Sequence, residues 1–158
     1  MTEETTAAAA ADSPERHFSI QRIYTKDISL ETPNSPQIFT QEWKPEINVN
    51  LNSGVDDLGE DNIEVSLTVT VTAKIGDKTA YLVEVKQAGI FLAKGISEEE
   101  KAPMTGIYCP NVLFPYVREI VSDLITRASF PQFLLAPVNF EAIYAQRMQQ
   151  QAETEASH

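Results

Sequence analysis

From Ile63 to Ile75 the chain alternates without a break. The odd positions are Ile63, Val65, Leu67, Val69, Val71, Ala73 and Ile75; the even ones are Glu64, Ser66, Thr68, Thr70, Thr72 and Lys74. Period two with many β-branched residues predicts a strand that buries one face. Gly76-Asp77 then supplies a two-residue hairpin turn. The return strand runs from Thr79 to about Gln87, with Tyr81, Val83 and Val85 on one face and Leu82, Glu84 and Lys86 on the other. Upstream, Phe18, Ile20, Arg22, Tyr24, Lys26, Ile28 and Leu30 share even positions, which predicts a long strand with a mostly apolar face. Ile47, Val49 and Leu51 repeat the alternation over Glu46 to Leu51, before an acidic turn from Asn52 to Asn62. Pro33, Pro36 and Pro45 surround Ile38, Phe39 and Trp43. Prolines deny the backbone both helix and central strand, so residues 32–45 are expected to form an extended crossover loop.

The period changes after Ile90. Asn111 and Pro115 mark a helix start, and Leu113, Val117, Ile120, Val121, Leu124, Ile125 and Ala128 recur at helical spacing. With Val112, Phe114 and Tyr116 added, this apolar stripe is wider than one sheet face covers, which argues for oligomerisation. Asn139 caps a second helix that continues to about Gln151, with Val138 and Ile143 placed to staple the cap. Strands first and helices afterwards predict an α+β fold. Its expected form is a four-stranded antiparallel sheet with a long helix and a C-terminal helix packed on one side. Residues 1–16, rich in Ala, Thr and Glu, are expected to be a disordered tail, 17–151 a single domain, and 152–158 a disordered acidic tail.

Charge and chemistry narrow the function. The chain has 158 residues, with 23 acids against 12 bases for a formal charge of -11. Such a surface repels nucleic acid and anionic membranes and favours basic partners. No apolar run is long enough to span a bilayer, and the acidic start Met1-Thr2-Glu3-Glu4 with the alanines Ala7 to Ala11 is not a signal peptide. The single Cys109 fits a reducing compartment, so the chain is expected in the cytoplasm. His17 and His158 lie beside the tails with no ligand or triad partner at useful spacing, and Cys109 lacks a nearby base, so it reads as a small buried apolar residue. Asp56-Asp57-Leu58-Gly59-Glu60-Asp61 lacks the pattern of a calcium loop and reads as a solvated turn. No phosphate or dinucleotide glycine motif is present. No metal or cofactor is expected, and an enzyme is disfavoured.

What stands out is apolar. Phe39 and Trp43 in the proline-rich loop, and Phe130, Phe133, Leu134 and Leu135 around Pro131, either cover the domain's own core or wall a groove for apolar segments of another chain.

The residues Phe-Ser-Ile-Gln-Arg-Ile-Tyr-Thr-Lys-Asp-Ile-Ser-Leu-Glu at 18–31 resemble the first strand of the SecB protein-export chaperone family. Gly89-Ile90-Phe91 is similar to that family's post-strand motif. Tyr108 to Tyr116 (Tyr-Cys-Pro-Asn-Val-Leu-Phe-Pro-Tyr) resembles its helix start, and Phe130-Pro131 with Leu135-Ala136-Pro137-Val138-Asn139-Phe140 resembles its C-terminal segment. The likeness spans about residues 17–151; Ala93 to Thr105 is less family-like. It implies an ATP-independent chaperone, a homotetramer built as a dimer of dimers. Such a protein binds unfolded preproteins and delivers them to the SecA ATPase for export across the inner membrane. By the same resemblance, SecA contacts fall on Asp27, Glu31, Leu82 and Glu84, and oligomer-sensitive positions on Tyr81, Val83, Val85 and Gln87, which spacing alone assigns to the core. A SecB-like chaperone serving another system and a small α+β enzyme are the alternatives.

Overall fold

The computed structural model describes residues 15–157; the expected tail, apart from Glu15 and Arg16, and His158 lie outside the described residues. Four antiparallel strands, β1 (His17–Glu31), β2 (Glu46–Gly59), β3 (Asn62–Ile75) and β4 (Lys78–Lys94), form one sheet in the order β1-β4-β3-β2. Every odd-numbered side chain from Ile63 to Ala73 on β3 is buried, and those between them are half-exposed, so the period-two pattern maps directly onto the two faces.

Two strands are longer than the alternation suggests. β2 runs through the expected acidic turn to Gly59, and the true turn is only Glu60-Asp61, both at positive φ (53° and 64°) between the paired Gly59 and Asn62. That geometry is a two-residue turn whose twist matches the strands. The acidic residues before it are strand positions, because β3 offers a full ladder for them to pair with. β4 likewise continues past Gln87 to Lys94. Gly89 is the cause of the apparent break: a Cβ there would stand 2.8 Å from the Phe91 ring and 3.2 Å from the Arg22 carbonyl oxygen. The glycine lets Phe91 lie down beside the first strand; it does not end its own.

β1 departs from its expected parity. Its register slips between Ile20 and Arg22 and again between Thr25 and Asp27. Each slip is a bulge, which inserts one residue and exchanges the faces. Phe18, Ile20, Ile23, Thr25, Ile28 and Leu30 therefore pair with odd-numbered β4 residues on the helix side, while Arg22, Tyr24, Asp27, Ser29 and Glu31 pair with even-numbered ones. Arg22 and Tyr24, expected on the apolar face, leave it, and Ile23 joins it.

The helical part begins earlier than Asn111. Helix α1 (Glu98–Pro103) opens with a capping box between Ser97 and Glu100, passes through one π turn at Met104–Tyr108, and leads into α2 (Cys109–Arg127). Pro115 lies inside α2. Leu113, Phe114, Val117, Val121 and Ile125 of α2 are buried against the odd face of β3 and β4. Helix α3 (Phe140–Ala156) is capped by Asn139, whose Oδ1 accepts from the Ala142 N–H at 3.0 Å, and it continues past Gln151 into the stretch expected as a tail. Gly106 of the π turn receives the Tyr144 ring so closely that a Cβ would stand 2.5 Å from it. The helices lie on one side, as expected; among the described residues none lies on the even-numbered face of the sheet.

Candidate functional site

Two apolar features adjoin on the helix side. The crossover segment is pinned by Ile38, which is buried, and by Asn34, whose side-chain amide donates to the Thr79 carbonyl at 2.9 Å. A 3₁₀ turn at Gln37–Thr40 then presents Phe39, and Trp43 follows. From the other direction α2 ends in a Schellman turn. Ser129 adopts φ 72°, Phe130 N–H donates to Ile125 O, and Ser129 N–H donates to Thr126 O. The reversal drives Phe130 back onto the core. Its ring centroid is 5.1 Å from Phe39, 5.4 Å from Trp43 and 5.2 Å from Tyr81, and Trp43 stacks on Tyr81 at 6.3 Å.

Beyond Phe130 the chain crosses toward β2 without regular structure. Phe133, Leu134 and Leu135 wall an apolar hollow of about 310 Å³ with Val49, Leu51 and Phe114. Leu135 is buried at one wall, and Leu134 stands at the rim, 63% exposed. The six expected groove residues thus divide into an aromatic cluster (Phe39, Trp43, Phe130) and the wall of the hollow (Phe133, Leu134, Leu135). Among these residues Phe130 and Leu135 are core, while Phe39 and Leu134 face solvent. Sequence reasoning did not place Val49, Leu51, Phe114 and Val138 in the hollow or Tyr81 beneath the cluster. The signal for Val49 was available: it is an apolar strand residue at the β2 edge, beyond the reach of one helix, and it is 44% exposed.

The opposite face gathers the second group. Glu31 pairs with Leu82, Ser29 with Glu84, and Asp27 with Lys86, so Asp27, Glu31, Leu82 and Glu84 share one continuous surface across β1 and β4. Asp27 and Glu31 are exposed, and Leu82 is half-buried. Glu84 accepts from the Thr70 hydroxyl at 3.1 Å. Nearby on this face the Tyr24 hydroxyl donates to the Glu64 carboxylate, and Lys26 Nζ lies 3.0 Å from Glu64. Desolvation, then the Glu64 hydrogen bond, pushes the Tyr24 phenol up to about 12. The same hydrogen bond, aided by Lys26, holds the Glu64 carboxyl below its ordinary value.

The four positions that the resemblance assigns to the oligomer interface lie inside the single chain. Tyr81, Val83, Val85 and Gln87 point under the helices and are buried within the single chain, Gln87 accepting from the Thr25 hydroxyl at 2.7 Å. They are core, as their spacing alone says, and touch no outside surface.

His17 is exposed at the start of β1. Cys109 is buried, and desolvation pushes its thiol up to about 12, so it is a neutral packing group. Among the described residues no three His, Cys, Asp or Glu side chains converge to hold a metal. Asp56 and Asp57 close β2 and Glu60-Asp61 form its turn. No helix of the described residues is long and apolar enough to cross a membrane.

A family model described as preprotein translocase subunit SecB matches residues 11–151. The chain is 55% identical over 148 residues to a protein-export protein SecB of Methylococcus capsulatus, covering 92% of this chain and 96% of that one. It is 58% identical over 144 residues to its namesake in Alcanivorax borkumensis, covering 89% and 92%. Among solved structures, a Mycobacterium tuberculosis SecB-like chaperone, in complex with a peptide from an antitoxin, superposes with a TM-score of 0.64 over 77% of this chain and 91% of that one. At 17% identity, that likeness speaks for the fold.

Proposed function

Because the chain belongs to the SecB family, a family of protein-export chaperones and not of enzymes, we propose that its apolar side holds unfolded preproteins and its open sheet face docks the SecA ATPase. The observation that supports the holding role most is the run of aromatic and aliphatic side chains from Phe39 and Trp43, through Phe130, to Leu134 over the hollow. Apolar burial contributes about 25 cal/mol per Å², so an extended client bound through many such contacts is held tightly without any covalent step. Folded clients hide their apolar segments, so selectivity comes from unfoldedness.

SecA docking is assigned to Asp27, Glu31, Leu82 and Glu84 because the exposed carboxylates of Asp27 and Glu31 share one face with the half-buried Leu82 and Glu84. The assembly is proposed to be a tetramer, a dimer of dimers. Its support is the flank of α2, where Val112, Ile120 and Leu124 stay half-exposed while packed at the margin of the core and Tyr116 beside them is 48% exposed. The cytoplasm is proposed as the working compartment, in keeping with a lone buried thiol that needs no oxidation.

The purified protein, without nucleotide, should suppress aggregation of a chemically unfolded preprotein at stoichiometric ratio. Failure to do so while the protein remains folded would overturn the holding role. Sedimentation at micromolar concentration should give a tetramer, and a monomer alone would overturn the assembly.

A further inference from the structure

Among the described residues, two buried side-chain polar atoms lack any protein hydrogen-bond partner, Ser35 Oγ and Tyr81 Oη. They belong to one locality. Ser35 lies in the crossover segment, next to Asn34, whose side chain ties that segment to Thr79, two residues before Tyr81. The Tyr81 ring is fully buried beneath Trp43 and Phe130. A buried hydroxyl without a partner forfeits its hydration and gains nothing in return. A phenylalanine would fill the same space without that penalty, so packing does not account for the oxygen. Burial also raises the phenol's pKa, so the group is a neutral donor and acceptor.

We infer that the Tyr81 hydroxyl is a masked hydrogen-bonding group for the main chain of an unfolded client, covered by Trp43 of the crossover segment in the empty protein and met by a client amide when that cover moves. The inference rests on the holding role proposed above and assigns its aromatic end a polar contact. The occupant it commits to is the backbone of an extended polypeptide. Every sequence carries that group, so the contact adds affinity without selecting side chains. The cover is the part best suited to move. It is a proline-flanked segment with a single 3₁₀ turn, anchored by Ile38 and Asn34, while Phe39 is 49% exposed. An unsatisfied group under the cover biases the cleft toward opening, since opening restores a partner to the hydroxyl.

Tyr81→Phe separates this role from packing because its two effects have opposite signs. The variant should melt at a higher temperature than the parent in the empty state. It should also bind a reduced, alkylated, permanently unfolded polypeptide about tenfold more weakly, the loss expected for one hydrogen bond left unmade. Sedimentation of Tyr81→Phe should match the parent. Trp43→Ala, assayed with the same polypeptide, is the reference for the groove. If Trp43→Ala weakens binding and Tyr81→Phe does not, the hydroxyl has no client role and the inference is overturned while the groove stands. If neither substitution weakens binding, the groove is elsewhere and both fall. A lower melting temperature for Tyr81→Phe would also overturn it, by showing that the hydroxyl already has a stabilising partner.

Discussion

Glu31 of β1 stands directly across from Leu82 of β4, on the face of the sheet that none of the described helices covers. Two residues along, Ser29 faces Glu84, and beyond it Asp27 faces Lys86. The pairing places carboxylates around a half-buried leucine, a form suited to a partner with basic groups ringing an apolar contact. Leu82→Arg or Glu84→Lys should weaken SecA binding by about tenfold or more. Both should leave capture of an unfolded client unchanged, because the apolar clusters proposed to hold the client lie through the sheet on the other side. Raising salt should weaken docking in the parent, since exposed charges are screened within about 8 Å at physiological ionic strength. Titration calorimetry of each variant against SecA and against an unfolded polypeptide decides the matter; equal loss of both activities would merge the two surfaces into one.

A charge introduced at Val83 has a different effect. Val83 is fully buried between Leu30 and Val71 under α2. Val83→Asp leaves a carboxylate unpaired in the core and should cost about 4 kcal/mol or more, the upper range for single substitutions. Any shift of the assembly toward smaller species should then accompany lost thermal stability, because α2 can present its outer stripe only while its inner face is seated. Sedimentation and thermal unfolding on the same sample test this. Dissociation at undiminished stability would place Val83 at a true interface.

The strands and the side on which the helices lie were legible because alternation is enforced by burial, and β3 is buried on every odd position. The pattern misled where the backbone changed its phase. In β1 the two bulges exchange faces, so Arg22 and Tyr24 read as apolar-side residues by number and are not. In β2 the run Asp56-Asp57 looks like a turn, since polar composition marks loops only on average; the ladder with β3 decides otherwise. Pro115 resembled a helix start but sits inside α2, where the ring removes a single N–H and the helix persists on the strength of its buried face. For the site, the aromatic residues of the loops were legible as outliers. Their association was not, since Phe130 meets Trp43 and Tyr81 only because the Schellman turn at Ser129 aims it there.

Trp43 is the single tryptophan of the chain, so its emission reports the aromatic cluster alone. Binding an unfolded polypeptide should change that emission, because the ring must exchange its contacts with Phe130 and Tyr81 for the client or for water. Trp43→Ala should reduce client affinity by about tenfold and cost about 1–3 kcal/mol of stability, less than a fully buried aromatic, since the ring is only half-buried. An unfolded variant would make Trp43 purely structural, and unchanged emission on client binding would remove it from the groove.

Cys109 sets an alkaline limit to stability. The thiol is buried at the start of α2, and desolvation pushes its pKa up to about 12 from an ordinary 9.0. A raised acid in the native state means that the unfolded chain releases this proton first. Above pH 9 the unfolded state therefore binds fewer protons than the native one, and stability falls as pH rises through the window from about 9 to 12. Below pH 9 the group is a neutral thiol in both states and contributes no pH dependence. Tyr24, also pushed up to about 12, and Tyr81, raised by burial, are acids of the same kind and add loss of the same sign at the upper end. Cys109→Ala should consequently flatten the early part of the decline without abolishing it, while lowering stability near neutral pH by about 1–2 kcal/mol for the deleted sulfur. Denaturant unfolding of both proteins between pH 7 and 11 measures the two slopes. A thiol reagent supplies an independent reading: modification of native Cys109 should be slow, limited by opening of α2, and should become fast once the chain is unfolded. Rapid modification of the folded protein, or identical slopes in parent and variant, would show that the thiol is solvated and that the alkaline limit comes from the tyrosines alone.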